Sequence, residues 1–157
     1  MSRPANAKPL VLYVEDDVDT FKLAQARLQA RYEVVNAATD RVAAELISQH
    51  GDDLHAVLMD IELQGSTLDG LALVKAMRGM TPKHALPPWA QPMPTLPHVP
   101  VIVMTAYVTR YTEAEVKSVG VTHFLTKPID FMRLNLALAQ ANIQSVMARL
   151  ASQPARR

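Results

Sequence analysis

The chain is 157 residues long, the size of one compact domain, and a second folded output domain is not expected within it. Sixteen Lys and Arg against fifteen Asp and Glu leave a net charge of +1, which offers no broad attraction to nucleic acid or to an anionic membrane. With no cysteine, the sequence excludes a disulfide framework, a thiolate nucleophile and cysteine-based zinc or iron–sulfur centres.

Residues 1–9 carry Arg3, Asn6, Lys8 and two prolines where a secretion signal needs an unbroken apolar core. Nor does any later stretch reach the ~18 apolar residues that span a bilayer, so a soluble, cytoplasmic protein is expected. Leu10 to Val14 is short, apolar and followed by acids, the pattern of a strand buried on both faces. Phe21, Ala24 and Leu28 then recur at helical spacing. Tyr32 to Ala37 reads as a second strand, and Thr39 caps a helix that runs to about His50 and stops at Gly51. Leu54 to Met59 is a third strand and Asp69 to Arg78 a third helix, closed by Gly79.

Between Pro82 and Pro100 stand seven of the prolines and the single tryptophan, Trp89. Proline lacks a backbone donor and fixes φ, so this stretch is expected as an extended loop. It reads either as a surface insertion pinned by Trp89 and Leu96 or as a polyproline strip for a partner. Pro100 to Met104 is a fourth strand, Tyr111 to Val119 a fourth helix closed by Gly120, and Val121 to Leu125 a fifth strand. A last helix begins near Asp130 and runs past Leu150.

Strands alternating with helices imply an α/β fold, a doubly wound parallel sheet with helices on both faces. Ligands in such sheets sit beyond the carboxyl ends of the strands. Here those ends offer Glu15 and Asp16, Asp60, Thr105 and Lys127. Three converging carboxylates resist joint ionisation unless a cation neutralises them, and Mg²⁺ suits oxygen ligands completed by water and phosphoryl oxygens. Lys127 adds a second positive centre on the far side. A carboxylate so flanked is equipped to attack phosphorus, so phosphoryl transfer to Asp60 is the chemistry expected. Each residue alone has a plainer reading: Asp17 or Asp19 caps a helix, a strand-end Asp or Thr caps a turn, and Lys-Pro is a loop. Their occurrence at four strand ends in order is what points to a site.

Val14-Glu15-Asp16-Asp17, Leu58-Met59-Asp60, Met104-Thr105-Ala106 and Phe124-Leu125-Thr126-Lys127-Pro128 together resemble the motifs of response regulator receiver domains, in that family's order. The separations of Asp16 from Asp60 and of Thr105 from Lys127 resemble ordinary receivers, and only the span from Asp60 to Thr105 is longer, by about the proline stretch. The resemblance implies a flavodoxin-like, CheY-like (βα)5 three-layer sandwich with strand order 2-1-3-4-5. It also implies a receiver domain over 9–150 with an insertion at 80–100, between tails 1–8 and 151–157.

Asp60 would be the phosphoacceptor and Asp16 a direct Mg²⁺ ligand, with Glu15 supporting the metal and the carbonyl of Glu62 completing the set. Thr105 and Lys127 would each take a phosphoryl oxygen, and Pro128 would follow Lys127 through a cis bond that aims it. Thr105 and Phe124 would form the switch, although Phe124 lacks the hydroxyl of the tyrosine often found there and also fits a plain core position. Tyr107 would shield the acyl phosphate. The partners implied are a sensor histidine kinase or phosphotransfer protein, then a downstream protein, with neither nucleic acid nor membrane, and with output supplied by another chain. The chain is expected not to be an enzyme beyond slow loss of the phosphoryl group to water.

His50, His55, His84, His98 and His123 show no ligand spacing, and the first strand leads into acids where a nucleotide-binding turn needs glycines. In the last helix Ile129, Phe131, Leu134 and Leu138 make one apolar side, while Met132, Leu136, Ala139, Ile143, Val146 and Leu150 form a second stripe at alternating spacings of four and three. A homodimer through this helix, a partner's helix, or packing back on the domain would cover that stripe. Two rival functions remain open at this level: a magnesium-dependent phosphohydrolase of the haloacid dehalogenase type, with Glu62 where its general acid would stand, and a receiver-like interaction module that needs no phosphorylation.

Overall fold

The computed structural model describes residues 3–106 and 111–153, and of Ser145 and Arg149 the backbone alone. Five strands, β1 (Leu10–Val14), β2 (Glu33–Ala37), β3 (Leu54–Met59), β4 (Val101–Thr105) and β5 (His123–Thr126), form one parallel sheet in the order β2-β1-β3-β4-β5. The helices are α1 (Val18–Leu28), α2 (Asp40–His50), α3 (Gly70–Met77), α4 (Glu113–Ser118) and α5 (Phe131–Ser152). Side-chain oxygens start them: Asp17, Thr39, Asp69 and Thr112 each accept from a backbone N–H of the first turn, and Asp130 accepts from two. Thr112 and Glu115 complete a reciprocal capping box on α4.

Alternate residues of each strand face opposite layers. Leu10, Leu12, Val14, Val101 and Val103 join one core with α2, α3 and α4, while Val11, Tyr13, Ile102 and Met104 join another with α1 and α5. In β3 the alternation slips. Leu10 pairs with Leu54 but Val11 pairs with Ala56, so His55 is an extra residue and the strand bends there. A few boundaries depart from the sequence pattern. Helix α4 starts two residues after Tyr111 and ends before Val119, and β5 runs from His123 to Thr126 because its ladder with β4 begins at Ile102 and His123.

The proline stretch is a loop insertion with Trp89 and Leu96 packed on the core, as one of the two expected readings had it, but it is not extended throughout. It includes two single turns of 3-10 helix, Lys83–Ala85 and Pro88–Ala90. Proline at the start of such a turn gives up a donor the turn does not use. Leu86, Ala90, Met93, Leu96 and Val99 are buried in the same core as α2 and α3, with Trp89 packed beside them. The return path is stitched down by a bond from the Leu96 amide to the Met77 carbonyl, 2.7 Å. Among the described residues no helix is long and apolar enough to cross a membrane.

Candidate functional site

The ladder places the site. Val14 pairs with Met59, so the next residues, Glu15 and Asp60, emerge side by side, and the Asp60 amide donates to the Val14 carbonyl at 3.1 Å. At the other end Thr105 pairs with Thr126, and the Lys127 amide donates to the Thr105 carbonyl at 2.9 Å. Four strand ends therefore converge on one open pocket of about 410 Å³, lined by Glu15, Asp16, Asp17, Thr20, Asp60, Glu62, Gln64, Ala106 and Lys127. Glu15, Asp16 and Asp60 each bring a carboxylate oxygen within 4.8 Å of the others.

Lys127 does not stand opposite the acids, as its place on the far strand suggested. Its ammonium donates to both carboxylate oxygens of Glu15 at 3.0 Å and to Asp60 Oδ2 at 3.1 Å. Clustered negative charge draws it inward. Glu15 is almost fully buried, and burial first, then its hydrogen bond with Asp60, push its carboxyl up to about 8 against the downward pull of Lys127. Burial opposes the Lys127 ammonium, but Glu15 and Asp60 outweigh it and hold its pKa above the ordinary lysine value. Three carboxylates gather around this one ammonium. All their ligand atoms are oxygen, so the cluster fits a hard divalent cation such as Mg²⁺.

Asp60 Oδ1 accepts from the Glu62 amide at 3.1 Å, which leaves Oδ2 to the ammonium. Asp16 Oδ2 accepts from the Gln64 amide at 3.1 Å, so the loop after β3 grips two of the three acids through its backbone. Thr105 is fully buried behind the pocket, whose wall there is Ala106. Phe124 packs, half-buried, against the core on the α2–α4 side. The Lys127–Pro128 peptide bond is cis. Tyr107 lies outside the described residues.

Sequence reasoning missed three contributors. A Cβ on Gly70 would lie 2.1 Å from the Asp60 carbonyl oxygen, so only glycine lets α3 start against the acid's own backbone. Asn36 on β2 donates to the carbonyls of Tyr13 and Glu15, at 3.1 and 3.0 Å, and fixes the chain where the first acids leave the sheet. Gln64 acts through its amide, which has no side-chain signature. A glycine directly after a helix cap was the one visible hint.

The profile of the response regulator receiver domain matches residues 11–139. The chain is 30% identical over 132 residues to the transcriptional regulatory protein ZraR of Escherichia coli K12, covering 83% of this chain and 26% of that protein, so it spans about a quarter of that relative's length. It is 29% identical over 124 residues to the polar-differentiation response regulator DivK of Brucella ovis, covering 78% of this chain and 87% of that one. The receiver domain of NtrX from Brucella abortus superposes with a TM-score of 0.68 at 27% identity, covering 85% of this chain and 98% of that one. A response regulator receiver domain protein from Clostridium thermocellum, with a TM-score of 0.73, 16% identity and coverage of 89% and 98%, shares the fold.

Proposed function

The chain belongs to the response regulator receiver family, and we propose that it accepts a phosphoryl group on Asp60 from a histidine of a sensor kinase or phosphotransfer protein, then alters its binding to a downstream protein in the cytoplasm. The family is a signalling domain of two-component systems rather than a conventional enzyme. The observation that carries the reading is the convergence of Glu15, Asp16 and Asp60 within 4.8 Å, bridged by Lys127. An Asp60 carboxylate oxygen attacks phosphorus, the new O–P bond forms as the donor's P–N bond breaks, and the electron pair leaves on the donor imidazole.

Asp16 and Asp60, supported by Glu15 and the Glu62 carbonyl, would hold Mg²⁺, which when bound offsets the charge of the acids and of the incoming phosphoryl oxygens. Lys127, already on Asp60 Oδ2, transfers its contact to a phosphoryl oxygen, and the Thr105 hydroxyl takes another. Thr105 thereby binds the modified form preferentially, and Phe124, on the neighbouring strand, carries the change to the surface. Pro128 aims Lys127, and Tyr107 shields the acyl phosphate from water. The partners are proteins, including a second copy of this chain paired through α5.

Incubation with acetyl phosphate and Mg²⁺, followed by intact-mass spectrometry, tests the acceptor. Wild type gains one phosphoryl mass and Asp60→Asn gains none; an unlabelled wild type, or a labelled Asp60→Asn, overturns the assignment.

A further inference from the structure

Four polar or charged residues are buried among the described ones: Glu15, Asp60, Thr105 and Asp40. The first three belong to the pocket. Asp40 stands on α2, at its first residue, and is 4% exposed. A first-turn acid is ordinarily a solvated partner of the helix dipole, and burying one is costly unless hydrogen bonds replace water. Here they do. Asp40 Oδ2 accepts from the amides of Thr67 and Leu68 at 2.8 and 2.9 Å, and Oδ1 accepts from Arg41 at 2.9 Å. The Asp40 amide in turn donates to Ser66 Oγ at 3.1 Å.

Three of these four bonds reach consecutive residues of the loop between β3 and α3. The front of that loop is the part that grips the acids, through Glu62 on Asp60 and Gln64 on Asp16. Between the two anchors lies Gly65 at φ +73°, with open space around it, a ready pivot. With Ser66, Thr67 and Leu68 held, the freedom of Gly65 is confined to the one residue between the clamp and the Gln64 amide.

We infer that Asp40 is a positioning residue for the acidic pocket: by clamping Ser66–Leu68 to the first turn of α2 it keeps the Gln64 amide on Asp16 and the Glu62 backbone beside Asp60, and so sets the affinity for the divalent cation. This rests on reading the pocket as a Mg²⁺ site. Groups that orient metal ligands without touching the metal change affinity by about 10–100-fold when removed.

The test is calorimetric titration of the full chain with MgCl₂, for wild type, Asp40→Ala, Ser66→Ala and Thr39→Ala. Thr39 caps the same helix through Val42, at 3.2 Å, and has no side-chain hydrogen bond to the loop, so its loss reports helix damage. Asp40→Ala weakens Mg²⁺ binding about tenfold, and Ser66→Ala, a milder cut, about threefold. Thr39→Ala binds as wild type does. Amide hydrogen exchange at Thr67 and Leu68 accelerates in Asp40→Ala and not in Thr39→Ala. If Asp40→Ala fails to fold, Ser66→Ala decides. Wild-type affinity in both loop-clamp variants, or equal weakening in Thr39→Ala, overturns the inference and leaves the pocket's assignment intact. A wild-type protein that binds no Mg²⁺ overturns both.

Discussion

His55, the extra residue of β3, is half-buried against Tyr32, with ring centroids 5.4 Å apart, and its Nε2 has no hydrogen-bond partner among the described residues. Burial lowers its pKa below the ordinary histidine value, only partly opposed by a hydrogen bond to the Leu138 backbone. Below about pH 6.5 the unfolded chain therefore takes up a proton that the folded chain resists, and stability is lost as pH falls through that range. His123 is lowered as well, by burial and then by Lys117, and acts in the same direction. Glu15, raised to about 8, acts oppositely: between its ordinary value and 8 the folded chain holds the extra proton, so its contribution grows as pH falls. Comparing His55→Leu with wild type at each pH cancels Glu15. The variant's denaturation midpoint should gain on wild type between pH 7.5 and 5.5; a constant difference would sink the argument. Glycines separate as sharply. At Gly70 an added Cβ would meet the Asp60 carbonyl at 2.1 Å, so Gly70→Ala should cost about 3 kcal/mol and slow labelling by acetyl phosphate. At Gly65 the added atom meets nothing, and Gly65→Ala should cost about 1 kcal/mol from its left-handed backbone alone. Equal losses in urea denaturation would remove steric contact with Asp60 as the cause.

Between α3 and β4 the proline-rich insertion acts as a cover for the α2–α3 side of the core. Arg41 of α2 lies over the Trp89 ring at 5.6 Å, and Leu86, Ala90, Met93 and Leu96 are buried beneath it. Arg78, the C-cap of α3, ties the far part of this region to the loop before β5: Nη1 donates to the Leu96 carbonyl at 2.5 Å, while Nε and Nη2 donate to the Gly120 carbonyl at 3.1 and 2.9 Å. Removing a fork that serves two carbonyls costs more than an average hydrogen bond, so Arg78→Ala should lose about 2–3 kcal/mol. Arg78→Lys should recover less than half, because one ammonium cannot span both acceptors. Urea denaturation measures both, and a loss under about 0.5 kcal/mol for alanine would refute the clamp. The insertion also shows what a sequence hides. Its prolines announced missing donors, and Trp89 and Leu96 stood out as its pins, but nothing in the sequence told that Leu86, Ala90 and Met93 turn to the same side. The three central strands were legible because a strand buried on both faces must be nearly apolar throughout, whereas the edge strands β2 and β5 are partly exposed and carry Glu33, Asn36, His123 and Thr126. The acids and Lys127 were legible because strand ends are where a parallel sheet exposes side chains. Gln64 and Gly70 were not, since one acts through an amide and the other through lacking a side chain.

Taken as a whole, the molecule covers one sheet face with α2, α3, α4 and the insertion, and leaves α5 on the other face with two unlike sides. Leu134, Ala137, Leu138 and Ala141 are buried against the domain, whereas Met132 is 84%, Leu136 59%, Ile143 63% and Leu150 59% exposed. Set out as heptads, Met132, Leu136, Ala139, Ile143, Val146 and Leu150 occupy the a and d seam, and the buried four fall at b, c and f, the side away from a partner helix. One helix can then serve its own core and a second copy at once. The flanking e and g positions from 135 to 147 are Asn135, Gln140, Asn142 and Met147, so no like charges oppose pairing along that stretch, while Arg149 occupies the last g position. Nearer the start of α5, Arg27, Arg31 and Arg133 line an open groove beside Met132 and Leu136, and two copies in parallel would bring these cations together. Burying the exposed side chains is worth about 1.5–3 kcal/mol each, set against an association cost of about 4–15 kcal/mol. A short seam with a cationic flank should thus give a weak dimer, with Kd on the order of 10 μM. Sedimentation velocity from 5 to 500 μM, a range chosen to bracket that estimate, should show a concentration-dependent shift. Added salt should strengthen it by screening the arginines, and Ile143→Glu should abolish it while leaving the unfolding free energy of the monomer within about 0.5 kcal/mol of wild type, because Ile143 is exposed and belongs to neither core. A monomer throughout that range, or a dimer indifferent to Ile143→Glu, would assign the exposed stripe to some other occupant.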